Sequence, residues 1–153
     1  MRRNMPAVLI VAHAPLASAL KTVAAHVYAD CGHAVEALDV PPTATADEVQ
    51  ALARAVMDRG PEHDWLVLTD VFGATPCNAM LRLADPAHVR VVTGVNVPML
   101  WRTLCYADEP LDALAARAVS GASQGVMQVA PTRPQNQNPT VFGCDQVDHH
   151  HQQ

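Results

Sequence analysis

Aromatic side chains are scarce in this 153-residue chain: two Trp, two Tyr and two Phe make up 4% of it. Charged residues are also few, at 16%, while half of all residues are apolar. That balance excludes a disordered chain, and the length suits one domain that buries roughly two-thirds of the surface its unfolded form exposes. Basic residues are outnumbered, giving a net charge of −5, which argues against a nucleic-acid partner. The four cysteines, Cys31, Cys77, Cys105 and Cys144, lack any CxxC or other short ligand spacing. They predict neither a disulfide framework nor a metal centre, and they fit a reducing cytoplasm. No apolar run approaches the roughly 20 residues of a membrane helix. The run behind Met1-Arg2-Arg3-Asn4 spans only about nine residues and lacks a cleavage region, so neither a signal peptide nor membrane insertion is expected.

What is present is a set of short apolar runs divided by turn residues. Ala7 to Ala12 is unbroken and reads as a buried strand that delivers His13 to its end, with Pro15 at the first position of the next helix. Leu16, Leu20, Val23 and Val27 give helical spacing from Pro15 to Ala29, closed near Gly32. Ala34–Val40 alternates as a strand and Pro41-Pro42 ends it. Thr45 with Glu48 forms a capping box ahead of a helix that stops at Gly60-Pro61. Trp65–Asp70 is a second buried strand, followed by a helix from Pro76 to Ala84. His88–Val95 is a fourth strand, with helices after it over Met99–Tyr106 and Leu111–Ala122. Residues 124–130 alternate weakly and predict a short fifth strand. From Pro131 the composition turns to Pro, Gln, Asn and His without periodicity, so residues 1–130 read as the domain and 131–153 as a polar, disordered tail.

This order predicts an α/β domain with a doubly wound, mainly parallel sheet and helices on both faces. In strand order 2-1-3-4 the chain reverses between the first and third strands, and ligands lie in the crevice beyond their carboxyl ends. Those strands end in His13 and Asp70, 57 positions apart. Gly73-Ala74-Thr75-Pro76 adds a turn, an expected N-cap threonine and free helix-start N–H groups suited to a phosphate. A carboxylate on one imidazole nitrogen fixes the tautomer and leaves the other nitrogen as a nucleophile, which describes a phosphoryl-accepting histidine. Alone, each feature is unremarkable, because a strand-end His is more often structural and Gly-Ala-Thr-Pro is a common helix start. His26, His33, His63 and His88 read as surface or edge residues, and His149-His150-His151 as an adventitious metal binder in the tail. A flavin or nucleotide binder at the same crevice lacks the G-x-G-x-x-G fingerprint.

The strand ending in a single His, the Asp70 strand followed by Phe72-Gly73-Ala74-Thr75-Pro76-Cys77-Asn78-Ala79, and Gly94-Val95-Asn96-Val97-Pro98-Met99-Leu100 resemble the mannose-type EIIA domain. That domain belongs to the bacterial phosphoenolpyruvate-dependent sugar phosphotransferase system. The similarity spans roughly residues 6–130. It implies a 2-1-3-4 parallel sheet with an antiparallel fifth edge strand that can be exchanged within a homodimer. It also implies that the phosphocarrier HPr, charged by enzyme I, passes a phosphoryl group to His13, which hands it to an EIIB component. By the same resemblance Asp70 orients His13, Thr75 and the amides around Gly73 and Ala74 hold the phosphoryl oxygens, and Asn96 borders the site. No metal or other cofactor is implied. Related domains act instead as regulatory binding modules or as phosphoryl donors to dihydroxyacetone kinase. The chain departs from the family at Ala14-Pro15, where glycine usually follows the histidine, and at Trp101, which adds bulk near the docking surface.

Overall fold

The computed structural model describes residues 5–27 and 34–131. The elements run β1 (Ala7–His13), α1 (Leu16–Val27), β2 (Val35–Val40), α2 (Ala46–Met57), β3 (Trp65–Thr69), α3 (Thr75–Leu81), β4 (Val89–Thr93), α4 (Val97–Cys105) and α5 (Leu111–Gln124). The four strands form one parallel sheet in the order β2-β1-β3-β4. Parallel pairing needs a crossover between strands, and here each crossover is a helix.

Strand β1 is paired on both edges and helices cover both faces of the sheet, so every residue from Ala7 to Ala12 is buried. Its alternation divides the core. Val8, Ile10 and Ala12 face one layer with Leu20 and Ala24 of α1, Leu100 of α4 and Leu114 of α5. Leu9 and Val11 face the other with Val49 and Ala53 of α2 and Met80 of α3. Each buried Val, Leu or Ile contributes about 1.5–3 kcal/mol of apolar transfer. The many alanines let helices lie close to the sheet, as the scarcity of aromatics suggests. Helix α5 and its C-cap leave no room for a side chain against α4 at two glycines. A Cβ on Gly121 would lie 2.5 Å from Arg102 Cβ, and one on Gly125 would lie 2.3 Å from Pro98 Cβ.

Local signals and structure agree most closely at α2. Thr45 Oγ1 accepts from Glu48 N–H at 3.2 Å, and Glu48 Oε2 accepts from Thr45 N–H at 2.9 Å. Other expectations shift. Helix α1 starts at Leu16, so Pro15 precedes it and its carbonyl accepts from Ala19 N–H. Helix α2 ends at Met57, capped by Asp58, ahead of the Gly60-Pro61 breaker.

The expected fifth strand is absent among the described residues. Helix α5 runs to Gln124, Gly125 caps it, and the following segment pairs with no strand. Alternation alone cannot make a strand, because the backbone needs a partner ladder. Val126, Met127 and Val129 are instead 74%, 62% and 80% exposed. The cysteine reading also changes. Cys77 is a buried free thiol, but Cys105 is disulfide-bonded. Pairing depends on how closely two Cα atoms approach, which sequence spacing does not report. Cys31, His33, Gly32 at the expected helix end, Cys144, the His149-His150-His151 run and the tail beyond Pro131 lie outside the described residues.

Candidate functional site

The order in which the chain lays down strands reverses between the parallel neighbours β1 and β3, and these two strands bring His13 and Asp70 together. His13 is the last residue of β1, and Asp70 follows the last residue of β3. His13 Nδ1 lies 2.6 Å from Asp70 Oδ2, and the His13 backbone N–H donates to the same oxygen at 3.0 Å. The other oxygen, Oδ1, accepts from Val71 N–H at 2.9 Å. Burial raises the Asp70 pKa, but the His13 backbone and ring bonds, with Val71 N–H, outweigh it and hold the carboxyl below its ordinary value. An ionised carboxylate only accepts, so Nδ1 carries the proton of the neutral ring and Nε2 carries the lone pair. The His13 side chain is 47% exposed while Asp70 is 14% exposed. The imidazole ring therefore reaches solvent while the carboxylate that holds it is mostly buried.

Three loops border this pair. After Asp70, Val71 and Phe72 are exposed, Phe72 at 75%. Gly73 then turns with φ +85°, a conformation that only glycine adopts without strain. Asn78 Nδ2 closes that turn by donating to Gly73 O at 3.1 Å. Because the turn comes early, the extended cap residue is Ala74, and Thr75 is the first residue of α3. The expected threonine cap is thereby corrected: the helix starts without a side-chain cap, and Pro76 in its first turn has no N–H. The first-turn N–H groups of Thr75 and Cys77 have no acceptor within α3.

The second loop follows β4. Gly94, also at φ +85°, donates its N–H to Asp70 O, and Val95 N–H donates to Thr69 O. Asn96 comes next and caps α4. Its Oδ1 accepts from Met99 N–H at 2.8 Å, and its Nδ2 donates to Ala122 O at 3.3 Å. With both ends of its side chain engaged, Asn96 shapes the loop bordering the site and ties it to α5. The third loop, Ala14-Pro15, has a cis peptide bond and leads into α1.

One hydrogen-bonded pair next to these loops was missed by sequence reasoning. Asp39, near the end of β2, accepts hydrogen bonds from Ser18 in the first turn of α1. Its signal was the one used for Asp70, an acidic residue at a strand end, but it lay in the less apolar strand. Elsewhere, His88 Nδ1 lies 2.9 Å from Asp64 Oδ1 at the opposite edge of the sheet, and His63 packs edge-on against Trp65. Among the described residues, no group of three or more His, Cys, Asp or Glu could hold a metal ion, and no helix is long and apolar enough to cross a membrane.

Fold and site together define a doubly wound α/β domain with an oriented, outward-facing histidine at its switch point. The chain belongs to the mannose-type EIIA family: the family model described as PTS system fructose IIA component matches residues 7–119. It is thus an EIIA component of the phosphotransferase-system class, a transferase family in general. It is 42% identical over 64 residues to the mannose-specific EIIAB component of Escherichia coli K12, and a protein of the same description from Shigella flexneri matches equally. That stretch is 40% of this chain and 20% of the relative, so the chain aligns with about a fifth of the curated protein's length. Among solved structures, the mannose/sorbose-specific IIA subunit from Enterococcus faecalis superposes with a TM-score of 0.76 at 22% identity, covering 84% of this chain and 97% of that one. The IIA protein associated with the fucose utilization operon of Streptococcus pneumoniae gives 0.68 at 22% identity, over 84% and 96%. At such identities these two similarities establish the fold.

Proposed function

We propose that this protein is a phosphocarrier that accepts a phosphoryl group on His13 Nε2 from phospho-HPr and passes it to an EIIB component. The observation that carries this reading is the 2.6 Å contact between His13 Nδ1 and Asp70 Oδ2, which leaves Nε2 bearing the lone pair on an exposed ring. In the transfer, Nε2 attacks the phosphorus as its bond to the donor histidine breaks, and the new N–P bond forms at Nε2. The Nδ1 proton stays in place, held by Asp70, whose charge balances the positive charge developing on the ring. The transition state is loose, so positioning and charge stabilisation supply most of the catalysis. The Thr75 hydroxyl and the amides around Gly73, Ala74 and Thr75 hold the phosphoryl oxygens, and Asn96 contributes by fixing the adjoining loop.

Family membership supports the remaining parts of the reading. The protein acts in the cytoplasm with HPr and EIIB, where thiol reductants would hold the Cys105 disulfide open. It is a homodimer in which the exposed segment after Gly125 is exchanged between copies, which gives Val126, Met127 and Val129 an apolar partner.

Incubation with enzyme I, HPr and labelled phosphoenolpyruvate tests the central claim. The expected result is acid-labile label on His13, lost entirely in His13→Ala. His88 serves as an internal control, because it holds Asp64 through Nδ1 as His13 holds Asp70. Label on His88, label persisting in His13→Ala, or no label beside fully charged HPr would overturn the assignment. Label that reaches His13 but never an EIIB acceptor would favour the regulatory module.

A further inference from the structure

An aspartate stands at or near the carboxyl end of the strand on each side of β1, and the transfer described above uses only Asp70. The second is Asp39, on the opposite side of β1. Its register partner on β1 is Ala12, the residue before His13. From there it reaches the first turn of α1, 21 positions back in the chain. Ser18 N–H donates to Asp39 Oδ1 at 3.0 Å, and Ser18 Oγ–H donates to Oδ2 at 2.5 Å. First-turn N–H groups have no partner inside their own helix, and a carboxylate placed there meets both free donors and the positive end of the helix. The acidity of Asp39 reflects this setting. The Ser18 hydroxyl bond opposes burial and, with the Ser18 and Ala17 N–H groups, holds the carboxyl below its ordinary value. Helix α1 is therefore capped from the neighbouring strand rather than by the residue before it.

The consequence falls on His13. Only Ala14 and Pro15 separate it from α1. Ala14 N–H donates to Val40 O at 2.9 Å, so this short connection is tied at both ends to consecutive residues of β2, Asp39 and Val40. On the far side, Asp70 ties the ring and backbone of His13 to β3. We propose that Asp39 is a positioning residue for phosphoryl transfer: by pinning the amino end of α1 to β2, it fixes the direction in which His13 Nε2 faces. It also fills the amino end of α1 with a resident negative charge. An incoming phosphoryl group is then left the Gly73–Thr75 side of the crevice, where the helix start carries no side-chain cap. Asp70 sets the tautomer and Asp39 sets the aim. The inference rests on the phosphocarrier reading of His13.

The test is the rate of His13 labelling by phospho-HPr in the full chain, comparing the unaltered protein with Asp39→Asn, Ser18→Ala and the double variant. Since a misplacement of about 1 Å can cost on the order of 100-fold, Asp39→Asn should lower the maximal rate by roughly tenfold or more. The KM for phospho-HPr should stay within about twofold, because the docking surface is intact. Ser18→Ala should move the same way, and the double variant should fall no further than Asp39→Asn, since the two groups form one contact. Nitrogen NMR of the His13 ring adds a readout that general loosening would not separate. The Nε2-unprotonated tautomer should persist in Asp39→Asn and be lost in Asp70→Asn. If Asp39→Asn does not fold, Ser18→Ala carries the test alone. A rate that is unchanged or faster, or a loss confined to KM, overturns the positioning role while leaving the phosphocarrier intact. Absence of label on His13 in the unaltered chain overturns both.

Discussion

Among the described residues, two histidines hold an aspartate through Nδ1: His13 at the carboxyl end of the sheet and His88 at the amino end. The ion pair is the same, so the pair alone does not define a site. His13 lies where three loops and the start of α1 converge. His88 lies beside Asp64 and Asp85, whose hydrogen bond and charges push its pKa up. Acid stability should register the difference between a paired and an unpaired carboxylate at the site. Asp70 has a folded pKa below its unfolded value near 3.8, so its contribution is fully present above that value and is lost as pH falls through the folded one. In urea denaturation, the midpoint difference between the unaltered chain and Asp70→Asn should therefore shrink as pH falls below ~4. A difference that kept growing below pH ~4 would rule out this account of the pair. The same variant should label at His13 roughly 10- to 100-fold more slowly, because its ring loses the fixed tautomer.

Helix starts show which local signals suffice. The Thr45–Glu48 box is complete within four residues, and it formed as its spacing predicts. Thr45→Ala should cost about 1 kcal/mol in urea denaturation, the ordinary value of an N-cap. Thr75 carries the same residue type, yet the cap position fell on Ala74 because Gly73 turns the chain one residue earlier. Propensity and packing conflict at Gly121. Alanine there gains about 1 kcal/mol of helix propensity, but its Cβ would lie 2.5 Å from Arg102 Cβ. Overpacking of that kind costs about 1–3 kcal/mol, so Gly121→Ala should be net destabilising in the same measurement. A more stable variant would mean that α4 and α5 can move apart freely.

For the molecule as a whole, the open question is what covers the segment after Gly125. Three large apolar side chains there are more than 60% exposed in the single chain. If the segment is exchanged within a dimer, replacing Val126, Met127 and Val129 together by serine should convert the protein from dimer to monomer in sedimentation velocity. The His13–Asp70 contact, built within one chain, should survive that change. An unaltered protein that sediments as a monomer would remove the exchange from the proposal.

The alternation within residues 124–130 was visible in the sequence, but the strand it suggested needs a neighbour, and none pairs with it among the described residues. The sequence by itself determined the four strands and the helices between them, which follow from apolar period and turn residues. The 2-1-3-4 order, and with it the meeting of His13 and Asp70, was implied by the family resemblance, because right-handed crossovers alone leave several strand orders open. Tertiary structure alone decided that Ser18 would be capped by Asp39, that Asn96 would spend its side chain on Met99 and Ala122, and that Cys105 would form a disulfide. Each of those is a choice among several chemically equivalent partners. Only the distances set by packing the helices onto the sheet make that choice.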